Sequence, residues 1–177
     1  FTFGPNQKAA QLEGSKSFTK NICKEYNIPT AAYETFSNLD KAIKYIDNHS
    51  IPLVIKADGL AAGKGVIIAE TREHAINSVK EIFSGKFGSA GNEIVIEEFL
   101  EGEEASFFVV SDGNSFIPLT SAQDHKRIGD GDTGLNTGGM GAYSPAPIMN
   151  SDLEKKTINK IIEPTLKAMS DYGEPYI

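Results

Sequence analysis

The first pattern of apolar residues in the chain has helical spacing and ends before residue 30. Its members are Ala9, Leu12, Phe18, Ile22 and Tyr26. The pattern breaks near Gly14, and Ser15 is of a type that often caps the start of a helix. Pro29 disfavours helical dihedral angles in the residue before it. The sequence therefore predicts two short helices, of which the second begins after Ser15 and ends before Pro29.

Residues 32–98 alternate between short apolar runs and helical spacing. The runs predict strands, and the helical spacing predicts one helix after Asn38 and another after Thr71. The strands are expected at residues 32–36, 52–57, 66–69 and 93–98. This order of strand, helix, strand, strand, helix and strand is typical of a compact α+β lobe that can fold over a neighbouring surface.

The second half of the chain has fewer regular elements. Residues 105–110 and 116–121 predict a hairpin, because the turn between them contains Asp and Gly. We expect this hairpin to begin a second, larger sheet. Residues 123–147 have little periodicity and many glycines, which predicts a long loop that is either functional or disordered. Residues 151–172 return to helical spacing, with an interruption around Pro164.

Charge and composition exclude several classes of function. The chain has 17 Lys and Arg against 24 Asp and Glu, a net charge of -7, so it has no general basic field to bind a nucleic-acid backbone. A nucleotide is not excluded, because a few lysines in one cleft outweigh a diffuse negative surface at short range. No apolar run approaches the ~20 residues of a membrane span, so no membrane partner is expected. The single cysteine, Cys23, fits a reducing, cytoplasmic setting.

The glycine-rich tip between the second and third predicted strands is the first candidate for chemistry. Gly59, Gly63 and Gly65 allow backbone N–H groups to approach an anion closely, so the loop can cover phosphates. Lys56 would reach from the rigid strand and Lys64 from the loop. An ordinary hairpin with a flexible tip is the alternative interpretation. The spacing excludes a P-loop, since a glycine rather than Ser or Thr follows Lys64.

Two later segments also carry candidate side chains. Residues 97–104 are rich in glutamate, which usually indicates a solvated turn, but Phe99 and Leu100 interrupt the charges and suit a crossing where a flat ring is bound. Residues 123–127 combine Asp, His, Lys and Arg, which could pair with a substrate's amine and phosphate. His125 taken alone is more often structural than a proton shuttle.

These segments together resemble one enzyme family. In chain order they are residues 13–16, 56–65, 97–100, 123–127 and 136–145. The chain resembles the phosphoribosylamine–glycine ligases, or glycinamide ribonucleotide synthetases, of the ATP-grasp superfamily over essentially its whole length. The resemblance implies an α+β fold that is part of an ATP-grasp fold. Residues 1–29 would be a linker and helices, residues 30–100 a small α/β lid, and residues 101–177 the first part of an antiparallel-sheet catalytic subdomain.

The resemblance also implies a reaction. Enzymes of this family join glycine to 5-phosphoribosylamine in purine biosynthesis and cleave ATP to ADP and phosphate, through a glycyl phosphate intermediate. Magnesium, with manganese as an alternative, assists. Such an enzyme must position its substrates, neutralise phosphate charge and exclude water. Its partners would be these small molecules, with no nucleic acid and no membrane.

Residue roles follow from the resemblance alone. Lys16 and Lys56 would contact ATP phosphates, and the loop with Gly59, Gly63, Lys64 and Gly65 would close over them. The adenosine part would contact Glu97, Glu98, Phe99, Leu100 and Glu104. Asp124, His125 and Lys126 would be catalytic. Phosphoribosylamine and glycine would meet Asp124, Lys126, Gly138, Gly139, Met140 and Gly141.

The chain also departs from the family pattern. The family's amino-terminal domain and a later stretch with the magnesium ligands are missing, so we expect metal ligands beyond Ile177 and an inactive fragment of an active parent. A non-catalytic nucleotide-binding module is one alternative. Another ATP-grasp ligase, such as a purine carboxylase or a peptide ligase, is a second, which the substrate segments disfavour.

Overall fold

The computed structural model describes residues 3–61, 65–131 and 133–177. The chain divides into two compact units. The four-stranded unit consists of Gln11–Lys24 and Thr30–Glu101, and the hairpin unit consists of Phe1–Ala10, Glu25–Pro29 and Gly102–Ile177. The second predicted helix belongs with the four-stranded unit up to Lys24, and the expected division into residues 1–29, 30–100 and 101–177 stays a prediction.

The four-stranded unit has the predicted order of elements. They are α1 (Gln11–Gly14), α2 (Lys16–Glu25), β1 (Tyr33–Phe36), α3 (Leu39–Asp47), β2 (Leu53–Ala57), β3 (Val66–Ala69), α4 (Arg72–Glu81) and β4 (Ile94–Glu98). A π-helical turn, Ile82–Lys86, continues α4. Ser15 caps α2 as predicted, because its hydroxyl oxygen accepts a hydrogen bond from the N–H of Phe18 at 3.1 Å.

The sheet of this unit separates an apolar face from a polar one. Its strand order is β1-β4-β2-β3, and all neighbours are antiparallel. Ile55 pairs with Ile96, and both are fully buried in the core that α3 and α4 cover. Because side chains alternate between faces along a strand, Lys56 and Glu97 belong to the opposite face. This opposite face holds the charged groups described below.

The hairpin unit contains short strands followed by a helical end. Its elements are β5 (Val109–Ser111), β6 (Phe116–Pro118), β7 (Gln123–Asp124), β8 (Arg127–Gly129), β9 (Thr133–Asn136), β10 (Ala142–Tyr143), α5 (Ser151–Thr157) and α6 (Glu163–Asp171). β5 and β6 form the predicted hairpin. Both strands are shorter than predicted, and an isolated bridge between Ser106 and Ala122 extends the pairing.

The expectation of an irregular loop at residues 123–147 is wrong in part. β7 pairs with β10, and β8 pairs with β9 with an irregular register. Each of these strands has only two to four residues. Such strands are too short for an alternating pattern to be visible in the sequence, and glycines between them hide the pairing.

The helical end of the hairpin unit is interrupted as predicted. α5 passes into a π-helical segment at Ile158–Ile162, and α6 begins with Pro164 in its first turn. Proline has no N–H to donate to the preceding turn, which explains why the regular pattern is lost just before it. Within the described ranges, no helix combines the length and hydrophobicity that crossing a bilayer requires.

Candidate functional site

A buried carboxylate with two lysine partners lies on the polar face of the four-stranded sheet. The Glu97 side chain is only 7% exposed. Its Oε2 lies 3.2 Å from Lys20 Nζ, and its Oε1 lies 3.0 Å from Lys56 Nζ. A buried carboxylate needs opposite charge and hydrogen bonds to offset its lost hydration. Two lysines against one glutamate leave this cluster with a net positive charge.

Lys20 is the member of the cluster that the sequence analysis missed. Its ammonium group also donates to Thr30 Oγ1 at 2.6 Å and to the Ala31 carbonyl at 3.2 Å. It lies 5.1 Å from the centre of the Tyr33 ring. The spacing to Lys16 held a signal, because residues four apart share one face of a helix. The motif that points to Lys16 ends at that residue and therefore does not include Lys20.

Lys16 connects the start of α2 to the start of the glycine-rich loop. Its ammonium group donates to the carbonyls of Asp58 and Gly59 at 3.2 and 3.3 Å. The Asp58 carboxylate accepts from the N–H of Ser17 at 2.6 Å and from the Ser15 hydroxyl at 3.0 Å. Asp58 therefore fixes the loop to the N-terminus of α2, where a negative charge is favourable.

The three lysines line one cavity of about 740 Å³ within the four-stranded unit. Its other lining residues are Leu12, Glu13, Thr19, Thr30, Leu60, Ala61, Gly65, Val66 and Glu97. The lining therefore combines apolar side chains with three lysines and two glutamates. A cavity of this size, partly apolar and net positive, can hold a small anion with an apolar part. Lys16 and Lys56, to which the resemblance assigns contacts with ATP phosphates, both line this cavity.

The described part of the glycine-rich loop is tightly packed. A Cβ on Gly59 would lie 2.9 Å from the Ala90 Cβ, and a Cβ on Gly65 would lie 2.6 Å from the Ala61 Cβ. These glycines are therefore required for close packing at the base of the loop. The predicted contacts of Gly63 and Lys64 with phosphate lie outside the described residues, so they stay predictions.

The end of β4 offers backbone groups for the expected adenine contact. The Glu98 carboxylate accepts from the N–H of Ala32 at 2.8 Å. Leu100 is 62% exposed, and Phe99 is partly buried. The Glu98 N–H donates to the Ala32 carbonyl at 2.9 Å, which leaves the backbone of Phe99 and Leu100 for an adenine ring. This assignment stays a prediction.

The hairpin unit brings Glu104, which is expected to contact adenosine, close to Asp124 and Lys126, which are expected to be catalytic. The Glu104 carboxylate forms an ion pair with Lys126, and the Asp124 carboxylate lies 3.7 Å from the same ammonium group. The hydrogen bond to Glu104 raises the pKa of Lys126. Lys126 therefore carries a positive charge at neutral pH, which suits an electrostatic role better than a general base.

His125 connects this cluster to the glycine-rich turn at residues 138–141. The His125 N–H donates to the Gly141 carbonyl at 2.9 Å, and the Met140 N–H donates to the His125 carbonyl at 2.7 Å. The imidazole is exposed and lies against Tyr143, with 5.3 Å between the ring centres. The backbone bonds fix the position of His125 and leave the role of its imidazole open, so its catalytic role stays a prediction.

The predicted glycine-rich turn is exposed. Gly138, Gly139 and Gly141 are exposed, and a Cβ added to any of them would meet open space. Gly139 has φ 128°, a value that side-chain-bearing residues rarely adopt. Met140 is 58% exposed. Across the described ranges, no group of three or more His, Cys, Asp or Glu side chains is arranged to hold a metal ion.

Removing the Asp58 carboxylate tests the connection between α2 and the loop. We expect Asp58→Ala to lower the free energy of unfolding by about 1–2 kcal/mol, because two hydrogen bonds at a helix N-terminus are lost. Urea denaturation followed by circular dichroism measures the change. Asp47→Ala, at the exposed end of α3, is the matched control. Equal unfolding midpoints for the two variants would contradict the interpretation.

Burial next to the cluster affects the thiol of Cys23. Burial raises the pKa of Cys23, and the nearby Glu97 charge raises it further against an opposing effect of Lys20. Since only the thiolate is nucleophilic, we expect iodoacetamide to alkylate the native chain more slowly than the urea-unfolded chain at pH 8. The pH at which the alkylation rate is half-maximal should be higher for the native chain than for the unfolded chain. A native rate equal to the unfolded rate would show that the thiol is not protected.

Comparisons with known proteins agree with the geometry. Residues 14–177 match the family model described as phosphoribosylglycinamide synthetase, ATP-grasp (A) domain. A phosphoribosylamine–glycine ligase of Brucella melitensis is 58% identical over 174 residues, which cover 98% of this chain and 41% of that protein. A chloroplastic relative of the same name from Arabidopsis thaliana is 58% identical over 177 residues, which cover 99% of this chain and 33% of that protein.

A solved structure extends the comparison to the fold. The crystal structure of a phosphoribosylamine–glycine ligase from Thermotoga maritima has a TM-score of 0.90 and 39% sequence identity. The match covers 98% of this chain and 44% of that chain. The chain thus spans about two fifths of the length of the bacterial relatives it matches, and the partial ATP-grasp fold expected from the sequence is confirmed. The chain belongs to the phosphoribosylglycinamide synthetase family, and its residues 14–177 are part of the family's ATP-grasp domain.

Proposed function

We propose that this chain binds ATP as part of a phosphoribosylamine–glycine ligase. The observation that carries the proposal is the cavity of the four-stranded unit, into which Lys16, Lys20 and Lys56 bring three positive charges in a chain with a net charge of -7. A local excess of cations in a negatively charged chain supports a polyanionic ligand. The shared name of the relatives supports ATP-dependent ligation as the reaction.

The phosphates of ATP would interact with Lys16 and Lys56. Lys56 is 26% exposed at its side chain, so its ammonium group is accessible while the strand holds its backbone. Lys16 extends from the first residue of α2 beside the base of the glycine-rich loop. A rigid strand and a helix start would thus fix two cations around one triphosphate, which is the main task in phosphoryl transfer.

Glycine and 5-phosphoribosylamine are the proposed partners of the hairpin unit. Lys126 can attract a phosphate or a carboxylate, and Asp124 beside it can accept a hydrogen bond from an amine. The Gly139 N–H donates to Thr137 Oγ1 and the Met140 N–H to the His125 carbonyl, so the Gly138 N–H would be the donor for an anion in this turn. The pairing of Lys126 with Glu104 and Asp124 supports a common site for these groups.

The proposed chemistry has two steps. The glycine carboxylate attacks the γ-phosphorus of ATP, which forms an acyl phosphate and releases ADP. The amine of phosphoribosylamine then attacks the acyl carbon, and the C–O bond to phosphate breaks while the amine loses a proton. The chain would bind and orient the phosphates and exclude water from the intermediate.

Magnesium, or manganese in its place, is part of the proposal for the whole enzyme. It would supply further neutralisation of the phosphate charge. The described residues do not form a metal site on their own, so we assign no metal ligand among them. We also propose a cytoplasmic location, although the name of the Arabidopsis relative shows that one relative is chloroplastic.

An enzyme of the relatives' length that carries this chain tests the proposal. We expect ADP formation to depend on both glycine and phosphoribosylamine, with one glycinamide ribonucleotide formed for each ADP. Replacing glycine by D-alanine or bicarbonate should abolish ADP formation, which separates this function from other ATP-grasp ligases. ADP formation that does not respond to glycine would contradict the proposal.

A further inference from the structure

We propose that Lys20 is a positioning residue that keeps the charge of Lys56 available for the phosphates of ATP. The inference rests on the proposed function, and it assigns to Lys20 a role that differs from those of Lys16 and Lys56. It follows from how the three N–H donors of each ammonium group are used.

The donors of Lys20 are fully used inside the protein. A lysine ammonium group has three N–H donors and no acceptor. Lys20 has three oxygen partners, namely Thr30 Oγ1, the Ala31 carbonyl and Glu97 Oε2, at 2.6, 3.2 and 3.2 Å. Its side chain is 10% exposed. Lys20 therefore has no donor left for a phosphate, although it lines the same cavity as Lys16 and Lys56.

The surroundings of Lys20 also hold it in place. The Tyr33 ring lies 5.1 Å from its ammonium group, and the Tyr33 hydroxyl donates to the Lys20 carbonyl at 2.9 Å. A cation next to an aromatic ring is stabilised further by the charge distribution of the ring. Tyr33 thus contacts both the side chain and the backbone of Lys20, in addition to the three oxygen partners of its ammonium group. Such a fixed position suits a permanent counter-ion of Glu97.

Lys56 differs from Lys20 in each of these respects. Its side chain is 26% exposed, and among the described residues its ammonium group forms an ion pair with Glu97 Oε1 at 3.0 Å. Two of its donors can therefore turn to a ligand in the cavity. Whether Lys56 attracts an anion depends on how much of its charge Glu97 cancels.

The charge balance of the cluster gives Lys20 its proposed function. With Lys20 present, two ammonium groups face one carboxylate, and one positive charge remains for the ligand. Without Lys20, Glu97 and Lys56 would cancel each other, and the negative charge of Glu97 would repel the phosphates. Lys20 would thus strengthen ATP binding without contacting ATP.

Isothermal titration of the chain with ATP tests this inference. We expect Lys20→Met to weaken ATP binding about tenfold, since one unit charge is lost near the triphosphate. Inorganic tripolyphosphate should show the same loss, because the effect acts on phosphates. Lys24→Met, one turn further along α2 and exposed, is the matched control and should bind ATP as the parent chain does.

A double variant separates charge balance from structural damage. In Lys20→Met with Glu97→Gln, both members of the buried pair lose their charge, so Lys56 again contributes one uncancelled positive charge. We expect the affinity for tripolyphosphate, which does not depend on the adenosine contact assigned to Glu97, to return to within about threefold of that of the unsubstituted chain. Affinity that stays as weak as in Lys20→Met would show a merely structural role and overturn the inference.

Failure of the inference on Lys20 and failure of the proposed function give different results in these titrations. If the parent chain binds ATP and Lys56→Ala weakens binding while Lys20→Met does not, the inference on Lys20 is wrong and the proposed function stands. If an enzyme of the relatives' length that carries this chain binds neither ATP nor tripolyphosphate, the proposed function itself fails.

Discussion

Lys56→Ala is expected to raise the dissociation constant for ATP by about 30- to 150-fold. A hydrogen bond between a cation and a phosphate contributes about 2–3 kcal/mol, and each 1.4 kcal/mol is a factor of ten. The substitution also changes the net charge of the cluster from positive to neutral, because Lys20 and Glu97 remain as a pair. Isothermal titration calorimetry of the chain and its variant measures the change.

The comparison of ligands makes this prediction specific for phosphates. Affinity for adenosine should be the same in the parent chain and in Lys56→Ala, whereas affinity for tripolyphosphate should fall with that for ATP. Lys44→Ala, on the exposed side of α3, removes a lysine of the same unit and serves as the control. A dissociation constant for ATP within threefold of the parent value would show that Lys56 does not bind phosphate.

Glu97→Gln should have the largest effect on stability of any substitution in the cluster. The variant leaves Lys20 buried at 10% side-chain exposure with hydrogen bonds but no opposite charge. Breaking a buried ion pair in this way costs about 3–5 kcal/mol, and we expect the lower end because Lys56 can turn towards solvent. Urea denaturation measures the free energy of unfolding from the midpoint and the slope.

Two further variants test the reason for this loss. Glu101→Gln makes the same chemical change at an exposed position, and we expect a change below about 0.5 kcal/mol. Adding Lys20→Met to Glu97→Gln should recover part of the stability, because the uncompensated buried charge is then removed. A double variant less stable than Glu97→Gln by the full cost of Lys20→Met would contradict the explanation.

Long patterns in the sequence predicted the four-stranded unit well. Ile55 and Ile96 lie in apolar runs. Thr71 precedes a helix and caps it, because its side-chain oxygen accepts a hydrogen bond from the His74 N–H at 3.1 Å. Such runs, caps and turns are local signals that tertiary contacts here reinforce. The paired strands within residues 123–147 could not be predicted in the same way, because their partners are brought together by chain reversal and each strand is very short.

The site was predicted in its parts, and the pairings between them were not. Lys16, Lys56 and Glu97 stood out as motif residues, but the ion pair between Lys56 and Glu97 joins two strands and depends on the register of the sheet. Lys20 lies outside the segments on which the resemblance to the family rests. Its role depends on the burial of its ammonium group beside β1, which a linear pattern does not encode.

The three lysines of the cavity all belong to the four-stranded unit, which has a consequence for redesign. Substitutions confined to residues 102–177 leave the spacing of these cations intact. On the function proposed above, a library that varies the surroundings of Asp124 and Lys126 in the whole enzyme should change the preference for the amine or the amino acid and leave the contacts of these three lysines with the triphosphate unchanged. The specificity for the acceptor substrate and the binding of the triphosphate could then be changed independently.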